Sequence, residues 1–289
     1  MERRSVKSAV LGLFAAAFVF ILAASGFCEE ASYGHEFDSY IRYMPGSEAE
    51  AMPGEVEIIE SGIEYSYAFK AWDKLPVKFS LENQYIAIDE NVGVQLPSHL
   101  VGLSIDIETT VPFFSFEDTY WRFGLKPSFY DDDAEFESSA FRIPFRTFII
   151  HQPNDKLTLI AGVAVYPDFE SQVVPIMGLI YKPNDVLTFN LVPKKPNITY
   201  QLNERMSIFA EGGMWGQEFE VDKGNLENVV LKVKGMRLAG GIRYKFNEYI
   251  RSSISVGGAF NRTLKYRDSL GKVNLEDGLF TELRIEIRL

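Results

Sequence analysis

The chain has almost no cysteine, little histidine and, past its first residues, no long apolar run. Cys28 is the only cysteine among 289 residues. That excludes an intrachain disulfide and any cysteine cluster for a metal. His35, His99 and His151 are the only histidines, and their spacing matches no metal-ligand motif, so neither a metal nor a cofactor is expected. No later stretch approaches the roughly 20 apolar residues of a membrane-spanning helix. Positive charge is also short. The formal net charge of −11 argues against nucleic acid as a partner. There is no glycine-rich phosphate loop, because the pairs Gly240-Gly241 and Gly257-Gly258 lie inside strand-like runs.

What is present begins with an export signal. Arg3, Arg4 and Lys7 precede an apolar segment from Ala9 to Ala24, and Ala24-Ser25-Gly26 supplies small residues for cleavage. Residues 1–26 therefore read as a signal peptide cut between 25 and 28. Lipidation at Cys28 fits less well, since Phe27 stands where a small residue is wanted. Residues 27–34 form a short N-terminal segment, and 35–289 the remaining domain. A disulfide-free chain exported to an oxidising compartment can be held by a closed ladder of backbone hydrogen bonds.

The last stretch shows the pattern of that ladder. Leu279, Thr281, Leu283, Ile285, Ile287 and Leu289 alternate with Phe280, Glu282, Arg284, Glu286 and Arg288. Successive strand residues point to opposite faces, so one face is oily and the other charged. Ile63–Phe69, Val101–Ile107 and Met236–Phe246 alternate in the same way, better than they fit a helical period. Several runs approach the ~10 residues that cross an outer membrane at a tilt.

Tight polar links at Pro153-Asn154-Asp155, Pro183-Asn184-Asp185, Asn203-Glu204 and Asn247-Glu248 alternate with longer or more acidic ones at 89–97, 131–138, 168–171, 220–228 and 266–276. Short periplasmic turns and long outer loops give that rhythm. Pro193 to Asn197 breaks it, being short where an outer loop is due. Thirteen runs are clear. An even number with both ends inside asks for one more, which His35 to Met44 supplies. The expected fold is all-β: a transmembrane, antiparallel, up-and-down barrel of about 14 strands, or 12 if 186–193 and 196–202 are not independent. Trp72, Tyr120, Trp121, Tyr181, Tyr200, Tyr244 and Tyr249 lie near the short turns and read as an interfacial girdle.

The stretch Pro175 to Asn184, with Leu191-Val192-Pro193 and Ile198 to Asn203 after it, resembles an uncharacterised family of Gram-negative outer-membrane β-barrel proteins, a domain of unknown function. Leu96-Pro97 before His99-Leu100, and Trp121 opening a later strand, are similar to the same pattern. The resemblance implies a barrel and carries over no catalytic residue. Leu289 departs from barrels generally, where an aromatic residue is usual at that position.

With apolar partners turned outward, the interior receives Lys70, Lys78, Arg122, Lys126, Arg142, Arg146, Arg237, Arg243, Lys245, Arg284 and Arg288. Facing them are Glu64, Glu82, Asp106, Glu108, Glu211, Glu282 and Glu286. Two readings follow: a field that favours anions, or salt bridges that fill a narrow lumen. Asp131-Asp132-Asp133 with Glu135 and Glu137 lacks the ligand ladder of a calcium loop and reads as a solvated outer loop. His99 with those aspartates is a remote hydrolase candidate. The expectation is a non-enzymatic outer-membrane barrel of porin or transporter type that passes small solutes, anionic ones among them. The alternative is a plugged barrel with a structural or surface-interaction role. Expected partners are outer-membrane lipid and lipopolysaccharide, and the barrel-insertion machinery through the C-terminal strand.

Overall fold

Alternation carried through the whole chain builds one closed sheet. The computed structural model describes residues 34–289 except 73, 115, 133–137, 168, 171, 194, 224–225 and 268–269; the expected signal peptide lies outside the described residues. Seventeen hydrogen-bonded segments join into fourteen strands, three of them interrupted once. These are β1 His35–Glu48, β2 Glu55–Ala71, β3 Leu75–Glu90 and β4 His99–Pro112. β5 joins Thr119–Leu125 to Ser128–Asp131, and β6 joins Phe141–Arg142 to Phe145–Asn154. Then come β7 Leu157–Val165, β8 Val173–Tyr181, β9 Leu187–Asn190, β10 Asn197–Gln201, β11 Met206–Lys223, β12 Leu226–Lys245 and β13 Ile250–Tyr266. β14 joins Lys272–Leu275 to Gly278–Arg288. Each strand pairs antiparallel with the next, and β14 closes on β1 from Glu36↔Arg288 to Tyr43↔Thr281. His35 and Leu289 exchange backbone hydrogen bonds of 2.9 and 2.8 Å. The expected fourteen-strand barrel is the fold.

The barrel has two storeys, visible along single strands. On β12 the inward face reads Arg243, Gly241, Ala239, Arg237 and then Val233, Leu231, Val229. Its outward face reads Ile242, Gly240, Leu238, Met236 and then Lys234, Lys232. On β2 the inward Glu64 and Glu60 give way to Ile58 and Val56, while outward Tyr65 and Ile63 give way to Glu57 and Glu55. Charge inside and oil outside suit a membrane barrel around a wet lumen. The reverse suits a water-soluble protein with a dry core. Both environments therefore occupy one ladder, stacked end to end.

In the outer storey Phe219, Leu231, Val233, Leu264, Tyr266 and Leu275, with Val56, Ile88 and Leu100, pack into a single buried apolar cluster. At this end protein, not lipid, covers the oily side. In the membrane storey Tyr65, Leu81, Ile107, Phe123, Ile149, Ile208, Ile254 and Leu283 stand exposed on the outside, the lipid-facing belt.

Strand irregularities gather where the storeys meet. β1 bulges between Met44 and Ser47, at Pro45-Gly46. β5 breaks at Lys126-Pro127, β6 at Ile143-Pro144, and β14 at Glu276-Asp277. β13 carries one extra residue opposite Lys234–Met236, and Asn261 there has a left-handed φ of 50°. A bulge of this kind adds twist and re-aims side chains. Above this waist the ring tightens. Asp131 on β5 bridges Glu220 on β11 in parallel, and Ala49 beyond β1 bridges Leu275 on β14. The outer storey thus closes without β6 to β10, which stop below it.

Candidate functional site

Beneath the dry core the lumen is crossed by a lattice of ion pairs. The Arg42 guanidinium lies between the carboxylates of Glu60 and Glu282. Arg237, four strands round the ring on β12, reaches Glu60 at 3.3 Å, and Arg284 joins Glu282 at 3.1 Å to Asp38 at 2.9 Å. Tyr40 and Gln84 donate to Glu60 at 2.8 and 3.1 Å. Tyr40 can lie flat there because Gly62 stands opposite in register, where a Cβ would come within 2.4 Å of the ring. Arg42, Glu60 and Glu282 are all buried. Buried ions persist only when paired and hydrogen-bonded; every charge of this set is paired, while the Nε atoms of Arg42 and Arg237 are buried without a hydrogen-bond partner.

The other expected interior charges also point inward by their place in the ladder. Arg146 bonds Asp106 and Glu108, each at 2.5 Å. Lys126 bonds Glu82 at 2.5 Å and Lys78 bonds Glu36 at 2.9 Å. Arg122 donates to Thr110 at 3.0 Å, and Arg243 lies over the Phe209 ring at 5.0 Å. Arg142 stands at the waist, 3.7 Å from Glu220 and donating to the Ser139 and Phe141 carbonyls. Glu36, Asp38, Glu60, Arg42 and Lys195 were not among the expected charges. The first two and Arg42 alternate with Phe37, Ser39 and Ile41, a signal that was available on β1. Glu60 is hidden where the strand's polarity reverses. Tyr120, expected in the girdle, lies instead on the inward face of β5 beside Arg122.

A cavity of about 610 Å³ occupies the lower lumen, with Glu64, Lys182, Glu211, Arg243, Arg251 and Glu286 among its lining residues. Lys195 enters it from the link between β9 and β10, 3.4 Å from Glu211. Acids and bases are mixed along the wall, with no face of one sign.

The wall itself is unequal. β11 and β12 run 18 and 20 residues, while β9 and β10 run only four and five, about half the ~10 needed to cross. Above that short hairpin β8 and β11 face each other across an unpaired interval. β8 pairs with β9 only at Ile180 and Tyr181, and β11 pairs with β10 only as far as Glu211. The link between β9 and β10 adds one bond on each side, Leu191 N–H to Leu179 C=O at 2.8 Å and Gly212 N–H to Pro196 C=O at 2.9 Å. Backbone groups alternate in direction along a strand, so those of Val173, Pro175 and Met177 on one side and of Met214 and Gly216 on the other aim into the interval. Pro175 has no N–H to lose, which suits an edge. At the top Glu170 arches across, accepting from Lys232 at 2.5 Å while its N–H donates to Glu218 at 3.1 Å. The result is a framed window in the side of the membrane storey.

Among the described residues each histidine meets a single hydroxyl. His99 meets Ser98 at 3.0 Å, His151 meets Thr119 at 2.9 Å, and His35 meets Tyr65 at 2.7 Å. Asp132 accepts the Asp222 N–H at 3.2 Å, while residues 133–137, with the rest of the acidic loop, lie outside the described residues. Among the described residues no group of three His, Cys, Asp or Glu could hold a metal.

No family model matches the chain, and no curated protein does. Solved structures are similar over nearly the whole length at low identity. An outer-membrane channel from Pseudomonas putida F1 is 10% identical, with 91% of this chain and 97% of that one covered and a TM-score of 0.46. A mutant of the TodX monoaromatic hydrocarbon channel is 9% identical, with 90% and 91% covered and a TM-score of 0.44. The NanC porin is 10% identical, with 88% and 100% covered and a TM-score of 0.41.

Proposed function

We propose that the protein is a non-enzymatic outer-membrane channel of porin type, its outward axial route held shut at rest. The observation that carries this reading is the charged cavity of about 610 Å³ below a crossing lattice and a dry cap. A barrel kept only as scaffold has no need of a wet chamber. Small solutes enter the lumen; lipid and lipopolysaccharide surround the belt. Because the interior cations already hold carboxylates, selectivity for anions is weak rather than strong.

Recordings in planar bilayers test this. The wild-type barrel is expected to give small ohmic steps, which rise severalfold when Arg42, Glu60 and Glu282 are all replaced by Ala. Arg146→Glu is expected to move the reversal potential toward cations, because it leaves Asp106 and Glu108 uncompensated. Silence in both the wild type and the lattice variant overturns the channel and favours the second reading, a plugged barrel working through its outer surface. The packed outer storey is the feature that favours that alternative.

A further inference from the structure

The interval between β8 and β11 is an expensive thing to leave in a membrane wall. Each backbone N–H or C=O without a partner costs several kcal/mol in hydrocarbon. Transmembrane barrels escape that cost by closing, and among the described residues each other strand of this one pairs with its neighbours. Its height follows from strand geometry. Gly212 is six residues above Met206 and Gln217 eleven above it, so at ~3.3 Å per residue and a tilt near 45° the interval spans about 14–25 Å above the periplasmic turns. The lipid-facing band is ~25 Å tall. The window therefore opens at the level of the outer leaflet.

Its surroundings differ on the two sides of the wall. Outside, one methionine stands on each jamb, Met177 at 77% exposure and Met214 at 75%; methionine is an unbranched, adaptable apolar surface. Inside, the strands beside the window present Ala164, Val174 and Ile176 to the lumen, with Arg146 next in register to Ala164, while the opposite wall carries Arg42. At this level the wall beside the window is mostly apolar and the wall opposite is charged. Lys195 marks the sill, and the inward face of the β11 jamb carries Trp215, stacked on Arg237 at 4.5 Å.

We infer that the window is a lateral portal through which a single-chain amphiphile passes between the outer leaflet and the lumen. Its chain lies along the mostly apolar wall and its polar head meets the charged one. A purely polar solute has no reason to enter through lipid-facing methionines, and an alkane has no use for the charged wall. A single chain needs less of the gap between two strand edges set apart by one short hairpin than a two-chain lipid does, and is the better-fitting occupant. The inference extends the channel reading by naming the cargo class and its exit. It is tested by access to Trp215, independently of ionic conductance.

The test uses the barrel in nanodiscs with Trp72→Phe and Trp121→Phe, which leaves Trp215 the sole tryptophan, in a Cys28→Ser background. The probes are lysophosphatidylcholine with a nitroxide on its chain, and diacyl phosphatidylcholine with the nitroxide at the same carbon. The single-chain probe is expected to quench Trp215 saturably and at least twofold more than the diacyl probe at equal mole fraction. Bridging Met177→Cys to Met214→Cys with a bis-maleimide should bring it down to the diacyl level. The same bridge between Ile242→Cys and Ile254→Cys, opposite each other in a closed ladder, should change nothing. Equal quenching by the two probes, or quenching indifferent to the window bridge, overturns the portal. If the tryptophan replacements impair folding, the bridge-dependent difference is read with all three tryptophans in place.

Discussion

Arg237 and Val233 stand four residues apart on the same face of one strand, and they live in opposite solvents. Arg237 crosses a wet lumen to Glu60, whereas Val233 is buried in the apolar core above. Met236 and Lys234 make the same exchange on the outside. The membrane storey holds its shape by ion pairs within and lipid without; the outer storey holds itself as a soluble β-protein does, by packing. Neighbouring parts of one sheet thus depend on different forces, and they should fail under different insults.

Phe219→Ala separates them most sharply. Phe219 is fully buried, and truncating such a ring costs about 3–5 kcal/mol. Urea titration with pulse proteolysis should show the outer strands cut at lower denaturant, while heat-modifiable migration of the membrane storey stays unchanged. If both storeys lose stability together, they form one cooperative unit and the distinction fails. A smaller effect belongs to the waist. Asn261→Val places a branched residue at φ 50° and should cost about 1–3 kcal/mol, again read by outer-storey proteolysis, whereas Asn261→Gly should be close to neutral.

The gentlest probe is alkali. Burial, with Asp132 and Glu90 nearby, pushes the Tyr266 phenol up to about 12, and its hydroxyl donates to the Gln95 carbonyl at 2.7 Å. The unfolded chain releases that proton near pH 10 and the folded chain does not. The outer storey therefore loses stability as pH rises from about 10 to about 12. Tyr266→Phe should remove that slope while keeping the ring. A slope that survives the substitution assigns the effect elsewhere.

The strand count was legible because alternation is a local signal. A period of two survives in Ile63–Phe69 or Leu279–Leu289 whatever packs around it. The reversal of faces was only half legible. On β2 the apolar residues are odd-numbered from Ile63 to Phe69 and even-numbered at Val56 and Ile58, so the phase slips at Ile58-Ile59, but a slip alone reads equally well as a bulge. Which side is water depends on what the other strands bring to the same height, and that is a tertiary fact. The window was half visible. Pro193 to Asn197 stood out as a link too short for its place, but only pairing shows that the strands beneath it stop midway. Lys195 escaped notice for the same reason, since link residues carry no parity.

The exchange of faces on β2 and β12 also fixes where the molecule floats. Sliding the barrel inward by one pair of residues would draw Lys234 and Glu57 from the headgroups toward the acyl chains, against a penalty that grows to about 2–4 kcal/mol for a lysine at the midplane. Sliding it outward would strand Met236 and Ile59 in water. The sheet carries its own waterline, written into the sequence of β2 and β12 alike.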